Sequence, residues 1–336
     1  MPNTVGFNYA DAAVMVKETF EPTFYRTFVR NNVFMELLQP TSEEYVEKDI
    51  TWKVYYSGNP AAGSYLEDGD IGTLRTDLGE RFETARLLWA QNGVPIKVSG
   101  LAKAITQSSN AIIDALAENT EQALKQLQAN MNLQLLGDGA GNLNGVNPNL
   151  KAVGDITGIQ AGVDDGGDVV TYANIDRTVN TWWQSFVLRN PVSPGTPRPL
   201  TEALMHQIVN EIRQVRQGKI THILCSPDVF TQFGLLLGLD RRFNFSPNQN
   251  NSPLEYIGGF QSLMFNDIPI VSVPLYEQGR MDFIDIDLIK YKILLDFTIE
   301  PRDAGVRDAS IMHAKTYSQL QVKNSFAMGS LRDILT

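Results

Sequence analysis

The sequence predicts an α+β fold in which a compact unit of short, mixed elements carries three outsized parts. Three observations predict it: a period-two ribbon beginning near residue 50, an unbroken helical pattern over 107–136, and short strands and helices alternating from about residue 160. At roughly 100–200 residues per domain, 336 residues make two or three compact units. The chain is 43% apolar and 20% charged, enough apolar material for a real core.

The first part is an N-terminal arm. Val16, Phe20, Phe24 and Phe28 recur every four residues, one apolar helical face interrupted by Pro22. So much phenylalanine must bury itself on the same chain or on a neighbour. The second part is a long hairpin. In "DITWKVYYSG" (49–58), Ile50, Trp52, Val54 and Tyr56 alternate with Thr51, Lys53 and Tyr55. The returning stretch, 81–100, has strand-like pieces around Phe82–Trp89 and Val94–Val98. Between them, 59–80 is rich in Gly, Asp and Glu and makes a poor core. At ~3.3 Å per residue the tip reaches some 30 Å from its base, and a two-stranded ribbon is marginal alone in water.

The third part is a helix over 107–136, about 45 Å long at ~1.5 Å per residue. Ile112, Leu116, Ala123, Leu127, Met131 and Leu135 share a face, Glu118, Glu121, Lys125 and Gln128 lie elsewhere, and Gly137 follows as a C′ residue. "GDGAGNLNGVNPN" (137–149) is its exit loop. Then come a helix over 176–189, a proline-rich loop over 190–200, and a helix capped by Thr201 with Leu204, Ile208 and Ile212 inward, ended by Gly218. "KITHILC" is a strand, and Ser226, Pro227 and Asp228 open another helix. Strands follow at 260–265, 268–273, 281–286, 291–301 and 311–323, with Asn-Asp and Gln-Gly turns among them.

Chemistry-bearing patterns are sparse. The net charge of −10 and the lack of any Lys/Arg cluster argue against tight nucleic-acid binding and against docking on an anionic membrane. The first residues lack the basic segment and apolar run of a signal peptide, no apolar run reaches membrane length, and the single cysteine fits a reducing cytosol; the expectation is a soluble, intracellular protein. Cys225 ends a strand before a helix N-terminus, where a thiolate can be stabilised. His222, three residues back, points to the opposite face, so a buried structural cysteine is the better reading. His206, His222 and His313 show no zinc-like spacing. Triads assemble in space, so spacing alone does not decide against one, but no GxSxG elbow marks a nucleophile. "GDGAGNLNG" ends a helix where a phosphate loop would open one, and "DDGGD" (164–168) lacks the calcium-loop pattern and reads as a solvated turn. Trp182 and Trp183 stand side by side; with Ile175, Val179 and Phe186 they read as a helix docked by its aromatics, with ligand stacking as the rival. Catalytic, cofactor-binding and metal-binding residues are expected to be absent.

The order of these parts resembles the major capsid proteins of tailed bacteriophages, whose fold is shared with encapsulin shells. The resemblance rests on the arm, the ribbon, the helix, the α/β unit and the return through "LLDFTIEP". "DITG" (155–158), "YANIDR" (172–177) with "WW" (182–183), "PLTEAL" (199–204) and "FNDIPIV" (265–271) are similar to stretches that recur in such coat proteins. It implies an N-terminal arm (1–35), the start of a peripheral domain (36–48), an extended loop (49–98), the peripheral domain with its spine helix (99–159), an apical domain (160–292) and a peripheral return with the C-terminus (293–336).

It further implies a non-enzymatic structural protein of the virion, assembled in the host cytoplasm through pentamers and hexamers into an icosahedral-type shell. That shell encloses double-stranded DNA without sequence-specific binding, and a net acidic subunit avoids gluing the genome down. Portal and separate scaffold or cement proteins are the expected partners, with no cofactor and no membrane. Contacts between copies are expected at Phe20, Phe24 and Phe28 of the arm and at Tyr65, Glu67, Asp68, Asp70 and Arg75 of the loop tip, while Trp182, Trp183 and Phe186 pack within the apical domain. Some relatives lock their shells through a lysine near the loop tip. Here Lys53 lies near the base and Lys97 near the end, with only Arg75 between 54 and 80, so no covalent mesh is expected. The rivals are an encapsulin-like compartment and, further off, a cytosolic α/β enzyme.

Overall fold

The computed structural model describes residues 33–38, 42–57, 81–99, 115–139, 154–192, 195–236, 263–302 and 309–335. The arm before residue 33, the loop tip over 58–80 and the helix start over 107–114 lie outside them. Among the described residues no helix is long and apolar enough to cross a membrane.

A short helix α1 (Val33–Leu38) buries Val33, Phe34 and Leu38. Strand β1 (Ser42–Glu44) follows, and then β2 (Ile50–Ser57) pairs antiparallel with β3 (Arg81–Leu87) as an isolated ribbon. The alternation works as the sequence demands: Ile50 is buried and Trp52, Val54 and Tyr56 are partly buried, while Thr51, Lys53 and Tyr55 are exposed. Strand β4 (Ala90–Ser99) leaves the ribbon and joins another sheet.

The spine helix α2 (Ala115–Leu136) keeps Leu127, Met131 and Leu135 buried, with Glu121, Lys125 and Gln128 exposed. Its last turn is buried all round, Asn132 and Gln134 included. Gln134 is satisfied by donating to Asn92 Oδ1 at 2.9 Å and Asp155 Oδ1 at 3.1 Å and accepting from Ile156 N–H at 3.2 Å. The expected C′ glycine is displaced: the left-handed residue after the helix is Gly139, φ 79°, not Gly137.

Beyond it lie one helical turn α3 (Ile159–Gly162), a small hairpin of β5 (Thr171–Tyr172) and β6 (Ile175–Asp176), and β7 (Phe186–Leu188). The predicted helix over 176–189 does not form; a 3-10 turn at Thr181–Trp183 stands there instead. Asp176 is the reason. Its carboxylate accepts from Thr178 N–H at 2.8 Å and Thr178 Oγ1 at 2.6 Å, and Asn180 Nδ2 donates back to the Asp176 carbonyl at 2.9 Å. Such local bonds offer the backbone an alternative to the helix.

Helix α4 (Glu202–Asn210) starts on Thr201, whose side chain accepts from Leu204 N–H, and runs on as a π-helical turn through Val215. It leads to β8 (His222–Cys225) and α5 (Pro227–Leu236), where Ser226 Oγ accepts from Val229 N–H at 3.4 Å. Strands β9 (Leu263–Phe265) and β10 (Ile268–Ser272) are joined by Asn266 and Asp267 at φ 50° and 64°, a two-residue turn whose twist suits a hairpin. The chain closes with β11 (Met281–Ile284), β12 (Ile289–Arg302), β13 (Ala309–Val322) and β14 (Gly329–Leu331).

Two larger sheets result: four strands in the order β1-β12-β13-β4, and six in the order β7-β14-β11-β8-β10-β9. Helix α4 lies on the second, with Ile208 and Ile212 closing over Gly329 of β14. The core is correspondingly double. A larger cluster joins α1, the ribbon base, the end of α2 and the four-stranded sheet; a smaller one fills the six-stranded sheet under α4 and α5.

Candidate functional site

The single thiol is structural. Cys225 is fully buried, its Sγ reaches only the Val271 carbonyl at 3.8 Å, and burial pushes it up to about 12. The three histidines have separate surroundings: His206 tilts against the Phe265 ring, His222 meets Thr221 Oγ1, and the His313 ring fills the space above Gly93. Burial lowers the His222 pKa. Among the described residues no group of three or more His, Cys, Asp or Glu side chains is placed to hold a metal ion.

The tryptophan pair packs, in a 3-10 turn rather than a helix. Trp183 is fully buried in the larger cluster, donates from Nε1 to the Tyr172 carbonyl at 3.1 Å, and its own carbonyl accepts from Arg177 Nε at 3.3 Å. Trp182 faces outward onto the ribbon and stacks on Tyr56, ring centroids 4.3 Å apart and planes 9° apart. Phe186 turns the other way, against the smaller cluster. Two further bonds fix the ribbon base: Trp52 Nε1 to the Lys323 carbonyl at 3.1 Å, and Arg86 N–H to the Ala173 carbonyl at 2.9 Å. The contact residues expected on the arm and loop tip, Phe20, Phe24, Phe28, Tyr65, Glu67, Asp68, Asp70 and Arg75, lie outside the described residues.

The segment 164–168 is solvated only in part: Gly167 and Asp168 are exposed, but its first residue is not. Asp164 is fully buried and accepts backbone N–H groups from Gly166, Asp168 and Val169 at 2.9, 3.2 and 2.9 Å. Arg332 reaches it at 2.6 Å and also pairs with Asp168, while Arg189 pairs with Asp165 at 2.6 Å. Arg280, itself buried, binds Asp282 and Glu277, each at 2.9 Å, and shares the Val163 carbonyl with Arg332. Arg177 takes the Gly162 carbonyl at 3.0 Å and Ser325 Oγ at 2.9 Å. Arginines from distant parts of the chain therefore cap the C-terminal carbonyls of α3 and neutralise the carboxylates beside them. A buried charge needs such pairing to be tolerated. The network borders an open polar cleft of about 430 Å³, between Asp138 at the end of the spine helix and Glu277 of the six-stranded side. Its guanidinium groups are spent on fixed partners that tie residues beside the two cores together.

What the geometry offers is thus a well-braced body and projecting surfaces. Comparison with known proteins agrees. The family described as SU10 major capsid protein matches residues 94–335. The fold is similar to that of the cyanophage A-1(L) capsid asymmetric unit, at 16% identity, TM-score 0.73, with 96% of this chain and 98% of that chain covered. It is similar to the capsid of a native GTA particle, at 11% identity, TM-score 0.64, covering 98% and 100%. It is also similar to the holo-SrpI encapsulin of Synechococcus elongatus PCC 7942, at 11% identity, TM-score 0.56, covering 98% and 96%. A search of curated proteins by sequence finds no significant match.

Proposed function

The chain belongs to the SU10 major capsid protein family, and from that premise we propose how its parts build the coat. As a major capsid protein it is a structural component of a virion, and copies of it assemble into a multimeric shell. In our reading the copies form pentamers and hexamers, with the unit around the six-stranded sheet toward the ring centre. The extended loop (49–98) lies over an adjacent copy, and the arm (1–35) and spine helix connect copies along the ring edges. Phe20, Phe24, Phe28, Tyr65, Glu67, Asp68, Asp70 and Arg75 make those contacts, and the chain performs no catalysis.

One observation carries this reading. The β2–β3 ribbon forms its own two-stranded sheet, packed on the body by one face alone through Trp52, Val54 and Tyr56, and such a ribbon is marginal without a further layer. An adjacent copy supplies that layer. A contact between unlike faces, repeated with closure, gives rings, and rings under further symmetry give a shell. The net charge of −10 suits a container for double-stranded DNA, because a basic lining would hold the genome by counterion release. Portal, scaffold or cement proteins complete assembly in the host cytoplasm.

Electron microscopy with light scattering on the chain, alone and with its assembly partners, tests the proposal. Closed shells or rings of five and six are the expected result. A strict monomer or dimer under every condition would sink it. Small uniform shells packed with another protein would overturn the genome-container reading in favour of an encapsulin-like one.

A further inference from the structure

The outer face of the β2–β3 ribbon carries side chains that stand exposed among the described residues. Tyr55 and Phe82 are direct partners across the two strands and are 56% and 58% exposed. Among the described residues they are the only aromatic side chains that stand so exposed. Lys53, two residues before Tyr55, places Nζ 5.0 Å from the centre of the Phe82 ring. The opposite face is already occupied by the Tyr56–Trp182 stack and the Trp52 hydrogen bond. Solubility alone needs only threonine and lysine on such a face. An exposed aromatic pair is the composition of a contact centre, and a cation beside it suits the charged rim.

A complementary feature lies on the four-stranded sheet. Strand β1 covers β12 only through Ile293, and two register shifts between Ile293 and Thr298 then bend β12 away. The break leaves a mainly apolar groove of about 130 Å³ lined by Met35, Tyr291, Ile293 and Phe297 with Ser42 and Thr316, and the exposed Asp296 also borders it. Its volume is of the order of a cavity that holds a single benzene ring, about 150 Å³, so it has room for one ring of the pair.

We propose that the Tyr55–Phe82 face of one copy seats in this groove on a second copy, with Lys53 meeting Asp296. The inference rests on the reading that copies build a shell and names where the ribbon stem, rather than its tip, is gripped. Aromatic pair and groove are different surfaces, so the contact runs head to tail and generates a ring instead of a closed pair.

Charge exchange in the full chain tests it, because both residues are exposed and neither substitution opens a core. Lys53→Glu and Asp296→Lys each lower the assembled fraction by about tenfold, the scale of a close interfacial charge pair, and the double exchange restores it. A second readout is independent of assembly yield: shells of the Lys53→Cys/Asp296→Cys chain, once oxidised, give a ladder of disulfide-linked multimers, to which buried Cys225 does not contribute. Single exchanges that assemble normally, a double exchange as defective as its parents, or disulfides formed only within one copy would each overturn the proposal. Wild-type chain that forms no shell with its partners would instead sink the shell reading, and this contact with it.

Discussion

Tyr56 and Trp182 lie face to face, 4.3 Å between ring centres, and this stack fastens the projecting ribbon to the body. Ile50, Ala85 and Leu87 anchor the ribbon base in the larger cluster, so the stack sets how far along the stem the anchoring extends. Aromatic pairs contribute about 0.5–1.5 kcal/mol beyond their buried area. A double-mutant cycle of Tyr56→Ala and Trp182→Ala is expected to return a coupling of about 1 kcal/mol. Hydrogen exchange should quicken over 50–57 and 81–87 in either variant while α4 and β8 stay protected. Uniform quickening across the chain would show that the stack supports the whole fold instead.

Trp183, its neighbour, should behave differently. It is fully buried, its indole N–H is bonded to Tyr172, and its carbonyl holds Arg177. Trp183→Ala leaves a large void and is expected to cost about 3–5 kcal/mol. Chemical unfolding of unassembled chains should rank Trp183→Ala well below Trp182→Ala. Equal losses would contradict the division of labour between the two rings.

Asp164 makes stability depend on acid. Burial alone would push its carboxyl up, but the Arg332 guanidinium, the N–H groups of Val169 and Gly166, and Arg177 outweigh it and hold it below the usual range. A carboxyl with a depressed folded pKa stabilises fully above its unfolded value, near 3.9, and that contribution is lost as pH falls through the lower folded value. Asp164→Asn should therefore cost about 3–5 kcal/mol at neutral pH, because guanidinium groups stay buried without their counter-charge. The gap to wild type should narrow below about pH 4. Urea titrations at pH 7 and pH 3 measure both, and a gap that persists unchanged at pH 3 would remove the carboxylate's charge from the explanation.

The parts of this architecture that were legible in the sequence are those specified by neighbours in the chain. Ile50 to Tyr56 alternate because one face is buried, Thr201 and Ser226 cap the helices they precede, and Asn266–Asp267 turns β9 into β10. The helix expected over 176–189 failed because its apolar spacing is accidental. Val179, one of the supposed face residues, is 77% exposed, and Asp176 binds its own backbone in a turn. The charge network was invisible for a different reason. Arg189, Arg280 and Arg332 come from three separate strands or turns, and no spacing in the chain announces that they meet around 162–168. Tertiary pairing of charges leaves a local signal of carboxylates and glycines that looks like solvent-facing loop.

Gly158 makes the sharpest prediction about the spine helix. A Cβ at this position would lie 2.4 Å from the carbonyl oxygens of Gln134 and Gly137 and 2.5 Å from that of Leu135. Those oxygens end helix α2 and belong to backbone, so no rotamer change relieves the clash. Gly158→Ala must push the segment leading into α3 away from the helix end, opening the buried contacts of Gln134 with Asp155 and Ile156. The expected loss is about 4–5 kcal/mol, in the far tail for a single substitution. Gly195 provides the control: its φ is +83° but nothing lies within 4 Å, so Gly195→Ala carries only the left-handed penalty, about 1–2 kcal/mol. Thermal unfolding of the two unassembled variants distinguishes close approach from backbone conformation. Comparable midpoints would mean that the helix end yields easily, and the spine would then be a hinge rather than a strut.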